Sequence, residues 1–450
     1  MINTIRSSAR IPDKRECITT MHDVKKHMMS KVAELLKGDH VCITSGGWTS
    51  SANDTYMSLT VRLITRGWEL ITLPVDCSKA TGTTSGEALA AGITAAIAKH
   101  DIGGKVTAIT TVCEPSMVKM GRLLEENGVC THVGCCNHRL ESTNSLVFNG
   151  PGVKTMMTLA RCLVSRYTTS SQMGDRLAQF VKIYLGSDNK RPIQHVLKEP
   201  IMKHEEADKL EPMLKAEHWA VLEMIFPILE PFKQTQTLLE GRKYVTGSLV
   251  VPFIHDLRYN LESANLDLEL APPSNDANEG LRRQSRSFKT VQVLATALDP
   301  RTKMLYGISE DQHTDVWQLV QSEAVKVALG NRLRLGGFTA AAQSAGQVPI
   351  RQRDSGADDS TTSDSEEEEE DESEENQDER KSSRVLLDPF DWWRVKSADF
   401  THLGILARRV LAIPATQAES ERLFSCAGNI DNQKSQQAGF KHRRVACSAA

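Results

Sequence analysis

The chain has 450 residues, more than one ordinary domain contains, and 40% of them are apolar, which is enough for a sizeable core. No run of about 18 apolar residues occurs and the segment Met1–Arg10 is polar, so neither a membrane span nor a signal peptide is expected. The 10 cysteines are too few and too scattered for a disulfide scaffold, and we expect them to be reduced and mostly buried. The composition therefore predicts a protein of the cytosol or nucleus.

The net charge of −3 hides an uneven distribution of charge. Residues 354–379 contain 15 acidic residues and no basic ones, and outside this run 54 basic residues face 42 acidic ones. The positive excess on the rest of the chain is compatible with nucleic-acid contact, although a solvated basic surface gives the same count. The low-complexity stretch around the acidic run cannot bury enough apolar area to fold, so we predict a disordered acidic linker over residues 338–384.

Five β-rich runs and two helical runs alternate in the first third of the chain. Short turns at Gly46-Gly47 and Arg66-Gly67 favour an antiparallel meander of the first three strands. Helical apolar spacing over Thr84–His100, with Ser85 as N-cap, and over Pro115–Asn127 predicts crossover helices, which make strands one, four and five parallel. The predicted strands are His40–Ser45, Tyr56–Ile64, Trp68–Leu73, Val106–Val112 and Thr131–Cys135.

The resulting order, β-β-β-α-β-α-β, is the ribonuclease H-like topology, so the predicted fold class is α/β with a mixed sheet. Helical patterns dominate the middle of the chain, where Ala271–Arg283 is predicted to be a loop because of Pro272 and Pro273, and Phe288–Tyr306 is predicted to be a helix broken at Asp299-Pro300. The predicted segments are an N-terminal helical lead-in (1–38), the first part of the ribonuclease H-like core (39–150), an α-helical insertion (151–337), the acidic linker (338–384), an apolar C-terminal region (385–430) and a divergent tail (431–450).

Several motifs, in their order and spacing, resemble the hAT superfamily of transposases and the BED zinc-finger-containing proteins derived from it. They are Thr44-Ser45-Gly46-Gly47-Trp48-Thr49-Ser50, Ile109-Thr110-Thr111, Cys135-Cys136-Asn137-His138, Leu298-Asp299-Pro300-Arg301, Asp388-Pro389-Phe390-Asp391-Trp392-Trp393, Ile413-Pro414-Ala415-Thr416 and Glu419-Ser420-Glu421-Arg422-Leu423-Phe424-Ser425. The resemblance extends over roughly residues 10–430 and implies a nuclear, DNA-related protein. The family's BED finger is expected to be absent, and its Arg-Trp motif is represented at best by Arg166-Tyr167.

The same resemblance implies that the catalytic site is degenerate. The family holds its divalent cations with two aspartates and a glutamate, which correspond here to Gly46, Val112 and Glu421. Glycine offers no side-chain oxygen and valine offers only methyl groups, so one carboxylate would have to hold two cations. The nearest acids that could replace the aspartates are Asp54, Asp76 and Glu114. We predict no catalytic residue, no divalent metal cofactor and no enzymatic activity.

One group of potential soft-metal ligands lies near the fifth strand. Cys135 and His138 form a Cys-x-x-His, and Cys130 and His132 precede it. The default interpretation is core packing, because side chains alternate between the two faces of a strand whereas zinc needs four converging ligands. A zinc site at Cys135 and His138 is the alternative.

The C-terminal apolar region is the family's dimerisation region by resemblance, and the predicted dimerisation residues are Trp392, Trp393, Leu406, Leu423 and Phe424. Packing of the same residues within the chain is the other interpretation. The sequence thus favours an inactive transposase-derived protein that forms homodimers, associates with DNA or chromatin proteins in the nucleus, acts in transcription, and has no membrane partner. Two alternatives are a metal-dependent nuclease with unrecognised ligands and a transposon fragment without function.

Overall fold

A computed structural model describes residues 13–37, 40–50, 53–80, 83–148, 151–185, 198–210, 214–268, 272–285, 288–329 and 388–426. The predicted linker over residues 338–384 and the tail over residues 431–450 lie outside these ranges. None of the helices in the described part of the chain is long and apolar enough to cross a lipid bilayer.

The centre of the molecule is a six-stranded mixed sheet. Its strands are β1 (Val41–Thr44), β2 (Gly47–Thr49), β3 (Thr55–Ile64), β4 (Leu70–Lys79), β5 (Val106–Thr111) and β6 (Thr131–Gly134). Strand β3 pairs antiparallel with β1, β2 and β4, whereas β1 pairs parallel with β5 and β5 pairs parallel with β6. These directions confirm the predicted α/β class with a ribonuclease H-like mixed sheet.

Of the two turns predicted in the meander, the one at Arg66-Gly67 is confirmed and the one at Gly46-Gly47 is wrong. The chain does not reverse at Gly46-Gly47, because β1 and β2 both pair with β3 and are successive parts of one interrupted strand. The antiparallel partner strands β2 and β3 are instead joined where the Ser50 N–H donates to the Asp54 carbonyl at 2.8 Å and Asn53 has a φ of 64°. The next strand begins at Leu70 rather than at Trp68, which lies in the turn.

Helices cover both faces of the sheet and build the rest of the described chain. They are α1 (Lys14–Leu36), α2 (Gly86–Lys99), α3 (Pro115–Glu126), α4 (Cys136–Phe148), α5 (Pro151–Thr169), α6 (Ser171–Leu185), α7 (Lys198–Ala207), α8 (Ala216–Leu239), α9 (Val250–Leu268), α10 (Pro272–Ser285), α11 (Thr290–Leu298), α12 (His313–Ala328), α13 (Pro389–Lys396), α14 (Thr401–Leu411) and α15, which covers residues 418–426. The Ser85 hydroxyl caps α2 as predicted, by accepting from the Ala88 N–H at 3.3 Å.

The predicted loop at Ala271–Arg283 is wrong, because the structure has α10 there. Pro272 and Pro273 are the first two residues of this helix. Proline is tolerated in the first turn, where the backbone N–H has no helical partner. The predicted break at Asp299-Pro300 is confirmed, since α11 ends at Leu298 and Asp299 caps it.

The alternation of side chains along β1 divides the core into two layers. Val41 and Ile43 join α2 and α3 on one face of the sheet, whereas Cys42 faces the layer that contains α11, α12, α13 and α14. A third apolar cluster joins α4 to α8, α9 and α10, and a fourth joins α5, α6, α7 and the start of α8. Contrary to expectation the cysteines are not mostly buried, since Cys17, Cys77, Cys162 and Cys426 are exposed.

Candidate functional site

Gly46, the degenerate position that the resemblance matches to the family's first metal-binding aspartate, lies between β1 and β2 and faces the C-terminal end of the described chain. A Cβ atom built on Gly46 would lie 2.7 Å from Gln417 Oε1, 3.1 Å from Ser420 Cβ and 3.5 Å from Phe424 Cε2. A side chain at position 46 would therefore require Gln417 to move. The fold thus brings Gly46 close to the segment that contains Glu421.

The motif Ile413-Pro414-Ala415-Thr416 fixes α15 in this place through backbone hydrogen bonds. The Pro414 carbonyl accepts from Thr110 Oγ1 at 3.0 Å. The Ala415 N–H donates to Thr246 Oγ1 at 3.1 Å, and the Ala415 carbonyl accepts from the Cys136 N–H at 3.0 Å. Because these bonds join the motif to β5, α4 and the segment before α9, the position of α15 over Gly46 follows from the fold of the core.

The aromatic residues on either side add to this contact. Trp48 of β2 stacks on Phe424 of α15, with ring centroids 6.0 Å apart and an interplanar angle of 19°. Trp48 also lies 5.7 Å from the ring of Tyr56. The sequence did not identify Gln417, Ser420 or the Trp48–Phe424 pair as neighbours of position 46, because no local pattern relates residues so far apart.

The other two predicted positions give a single carboxylate. Val112 follows β5 and is half-buried against the apolar layer of α2 and α3. The exposed Glu421 accepts a hydrogen bond from Gln417 Nε2 at 3.1 Å. Gln417 Oε1 and Ser420 Oγ are buried and have no hydrogen-bond partner within the described ranges. Since Mg²⁺ and Mn²⁺ in two-metal sites are held by several carboxylates, this donor set does not fit such a pair of cations.

The candidate replacement acids have partners of their own. Asp54 forms an ion pair with Lys79 at 2.6 Å, and Asp76 forms one with Lys99 at 2.7 Å. Glu114 is exposed and is the N-cap residue of α3, although its side chain makes no capping hydrogen bond. The structure thus gives no support for Asp54 or Asp76 as replacement ligands beside Gly46.

The cysteine and histidine side chains near β6 are placed differently from a zinc site. Burial raises the pKa of the Cys135 thiol to about 11, although backbone N–H groups of His138 and Gln417 point toward it. Burial, with Lys289 and Arg139 nearby, lowers the pKa of His132 to about 4, and its Nε2 lies 2.8 Å from Thr111 Oγ1. Within the described ranges, no group of three or more His, Cys, Asp or Glu side chains converges as metal ligands do. The hypothesis of zinc at Cys135 and His138 therefore gains no third ligand from these residues.

The predicted dimerisation residues fall into two groups. Trp393, Leu406 and Phe424 are 3%, 1% and 7% exposed, so other parts of the same chain already cover them. Trp392 and Leu423 are half-buried. Their role in contacts between two copies stays a prediction.

Trp393 is held on the body of the protein by a ring contact and a hydrogen bond. Its ring stacks on Trp68, with centroids 5.4 Å apart and planes 11° apart, and Trp392 lies edge-on to it at 4.8 Å. Its indole N–H donates to the Leu298 carbonyl at 2.8 Å, where α11 ends. Trp68 also donates to Ser397 Oγ at 3.2 Å. This arrangement docks α13 against the turn between β3 and β4.

The Arg166-Tyr167 dipeptide, which stands where the family has Arg-Trp, lies on α5 and contacts α7. The Tyr167 hydroxyl lies 2.9 Å from Nδ1 of the fully buried His204, whose Nε2 lies 3.0 Å from Asp208. Arg166 forms an ion pair with the buried Glu205 at 3.2 Å. The dipeptide therefore joins two helices of the insertion through polar contacts.

Together the fold and the site define an α/β protein with a ribonuclease H-like sheet, a helical insertion and a C-terminal segment packed back onto the sheet. A family model described as the hAT family C-terminal dimerisation region matches residues 368–441, which include α13, α14 and α15. Residues 368–441 are thus similar to the self-association region of hAT-superfamily transposases, which supports the resemblance on which the derivation of this chain from such a transposase rests. A separate comparison with curated proteins found no match to the chain.

Proposed function

We propose that this protein is a catalytically inactive hAT transposase derivative that works in the nucleus as a self-associating, DNA-associated protein with a role in transcription. The loss of catalysis is supported by one observation above all, the packing of Gln417 and Ser420 against Gly46. A cation pair needs carboxylate ligands at that point, and Gln417 and Ser420 offer only neutral oxygens. Glu421 alone cannot neutralise two divalent cations.

A strand-nicking assay tests the loss of catalysis. The purified full chain is incubated with supercoiled plasmid and Mg²⁺ or Mn²⁺, beside the variants Glu421→Ala and Glu217→Ala. Glu217 is a matched control because it is an exposed glutamate at the start of α8, with 71% of its side chain accessible. We expect equal background nicking by all three proteins. Metal-dependent nicking that Glu421→Ala removes and Glu217→Ala retains contradicts the proposal.

Association with DNA is tested by a gel-shift titration at several salt concentrations. The positive excess outside residues 354–379 predicts phosphate contacts, whose release of counterions gives a negative slope of log K against log salt. A deletion of residues 354–379 removes 15 acidic side chains, and we expect it to tighten binding. A slope near zero in both proteins contradicts DNA association and leaves self-association unaffected. Imaging of a fluorescently tagged full chain tests the nuclear location.

A further inference from the structure

Two thiols lie close together at the edge of the sheet where α4 begins. Cys113 follows the last residue of β5 by two positions, Cys135 directly follows β6, and both carry free thiols. The Cys135 N–H donates to the Thr111 carbonyl at 2.7 Å, which continues the pairing of β5 with β6 by one step. The Cys113 thiol in turn donates to the Cys135 carbonyl at 3.9 Å. A backbone contact and a side-chain contact thus join the two positions.

The spacing of the backbone at these two positions suits a disulfide. Paired strands lie about 4.8 Å apart, and an offset of one residue adds a rise of about 3.3 Å along the strand. Because Thr111 pairs with Gly134, positions 113 and 135 have this offset. Their Cα atoms are therefore expected to lie about 6 Å apart, within the range of about 4.4–6.8 Å that disulfides span. A bond between the two sulfurs then requires a rotation of side chains rather than a shift of strands.

The glycine at the end of β6 provides the space in which the Cys113 thiol lies. A Cβ atom built on Gly134 would lie 2.8 Å from Cys113 Sγ and 2.6 Å from Arg139 Nη2. The thiol and the guanidinium group therefore lie close together over Gly134, where any larger residue would have its side chain. Cys113 is half-buried, so small solutes can approach it from the solvent. A neighbouring positive charge stabilises a thiolate, which is the form of cysteine that reacts with oxidants.

The surroundings of Cys135 suit the second step of an oxidation rather than the first. Cys135 is 2% exposed, and burial raises the pKa of its thiol to about 11, so an oxidant reacts with Cys113 first. The backbone N–H groups of His138 and Gln417 point toward the Cys135 sulfur, which lies between the first turn of α4 and the residue before α15. A bond to Cys113 would therefore alter the contact of Cys135 with Gln417, the residue that packs against Gly46.

We propose that Cys113 and Cys135 are a redox pair that hydrogen peroxide converts to a disulfide. The Cys113 thiolate attacks one oxygen of the peroxide, the O–O bond breaks, and the hydroxide that leaves takes up a proton to form water. The Cys135 sulfur then attacks the sulfur of the resulting sulfenic acid, the S–O bond breaks, and the hydroxide that leaves takes up the Cys135 proton. Two thiols and one hydrogen peroxide thus give one disulfide and two waters. Thiols of a reducing compartment reverse the bond, so the pair responds to the supply of oxidant.

Peptide mapping of the full chain after exposure to hydrogen peroxide tests the pair. The remaining thiols are alkylated, the single chain is isolated on a non-reducing gel, and trypsin releases Cys113 in residues 106–119 and Cys135 in residues 123–139. The second peptide also contains Cys130 and Cys136, so Cys130→Ser and Cys136→Ser are matched controls. We expect the two peptides to be joined in the unaltered chain and in both controls. Cys113→Ser and Cys135→Ser should each abolish the joined product.

Three results would overturn the pair. If the joined product persists in Cys135→Ser and disappears in Cys130→Ser or Cys136→Ser, Cys113 has a different partner. If Cys113 accumulates as sulfinic acid in the unaltered chain while Cys135 stays unmodified, no second thiol reaches it. If the chain unfolded in urea gives this product as readily as the folded chain, the fold does not place the two thiols together. Should a serine variant lose its cooperative thermal transition, fragmentation of the joined peptides from the unaltered chain identifies the linked cysteines directly.

Discussion

Replacing Trp393 with alanine tests whether this side chain stabilises the single chain or a contact between two copies. Trp393 is 3% exposed, stacks on Trp68 and donates its indole N–H to the carbonyl at the end of α11. Truncation removes the ring contacts, leaves a cavity between the sheet and α13, and leaves the Leu298 carbonyl without this donor. All three effects act within one chain.

The magnitude follows from these contacts. Replacing a buried tryptophan with alanine leaves a cavity and lowers the free energy of unfolding by about 3–5 kcal/mol, a range that includes the lost aromatic stacking. A Trp393→Phe variant keeps a ring against Trp68 and lacks the indole N–H, so it should lose only about 1–2 kcal/mol. Trp317 on α12 is 45% exposed, and Trp317→Ala should change the free energy of unfolding by less than about 1 kcal/mol.

Urea denaturation followed by far-UV circular dichroism measures these losses at two protein concentrations. If the truncated residue belongs to the chain's own core, the substitution lowers the urea midpoint by the same amount at both protein concentrations, because the lost contacts involve no association. If it belongs to the contact between two copies, the decrease in the urea midpoint depends on the protein concentration. If Trp393→Ala loses less than about 1 kcal/mol and raises the dimer Kd, Trp393 belongs to the interface and the conclusion that it stabilises the single chain fails.

Three further predictions follow from single contacts. Gly46→Asp should lower the free energy of unfolding by about 1–3 kcal/mol, because its side chain displaces Gln417, and it should not restore nicking. Tyr167→Phe should lower it by about 1–3 kcal/mol, because it removes the hydroxyl from the buried Nδ1 of His204. The pKa of His132 is about 4 in the folded protein and 6.5 in the unfolded chain. The stability that neutral His132 contributes is therefore complete above pH 6.5 and is lost as the pH falls toward 4, because the unfolded chain takes up the proton first. His132→Gln should flatten that fall, by up to about 3 kcal/mol.

Each prediction has a control and a measurement that contradicts it. Gly92 lies on α2 with nothing within 4 Å of a built Cβ, so Gly92→Asp should leave stability unchanged or raised, and equal losses at positions 46 and 92 contradict the packing argument. Tyr259 is 62% exposed, and Tyr259→Phe should have no effect in the same urea titration. For His132, denaturation is repeated between pH 4 and pH 7 beside His22→Gln, since His22 is exposed on α1. An unaltered pH slope in His132→Gln contradicts the assignment.

The topology of the sheet could be predicted from the sequence because it depends on local patterns. Apolar spacing identifies α2 and α3, and the connections they make decide which strands are parallel. The errors arose where tertiary contacts overrule local signals. Gly46-Gly47 has the composition of a turn, yet strand β3 pairs with the chain on both sides of it. Pro272 and Pro273 suggest a loop, yet they begin α10.

The candidate site could be predicted only in part. The absence of an oxygen ligand at Gly46 and Val112 is visible in the sequence once the resemblance assigns those positions. The contact between Gly46 and Gln417 is not visible, because it depends on two hydrogen bonds with distant parts of the chain, one that the Pro414 carbonyl accepts and one that the Ala415 N–H donates. The distinction between the buried Trp393 and the exposed Val395 is equally hidden, since both lie in one apolar block and only the docking of α13 separates them.

The contact at Gly46 also bears on a further test of the proposed loss of catalysis, the introduction of new carboxylates. An aspartate at position 46 requires the side chain of Gln417 to move and presses on Ser420 Cβ, which a Cβ atom would approach to 3.1 Å, so any larger adjustment falls on α15. Moving α15 would in turn strain the bonds that hold Pro414 and Ala415. Even then, Val112 still presents methyl groups where a second carboxylate is required. The proposed loss of catalysis therefore predicts that nicking appears only when carboxylates are introduced at both positions 46 and 112.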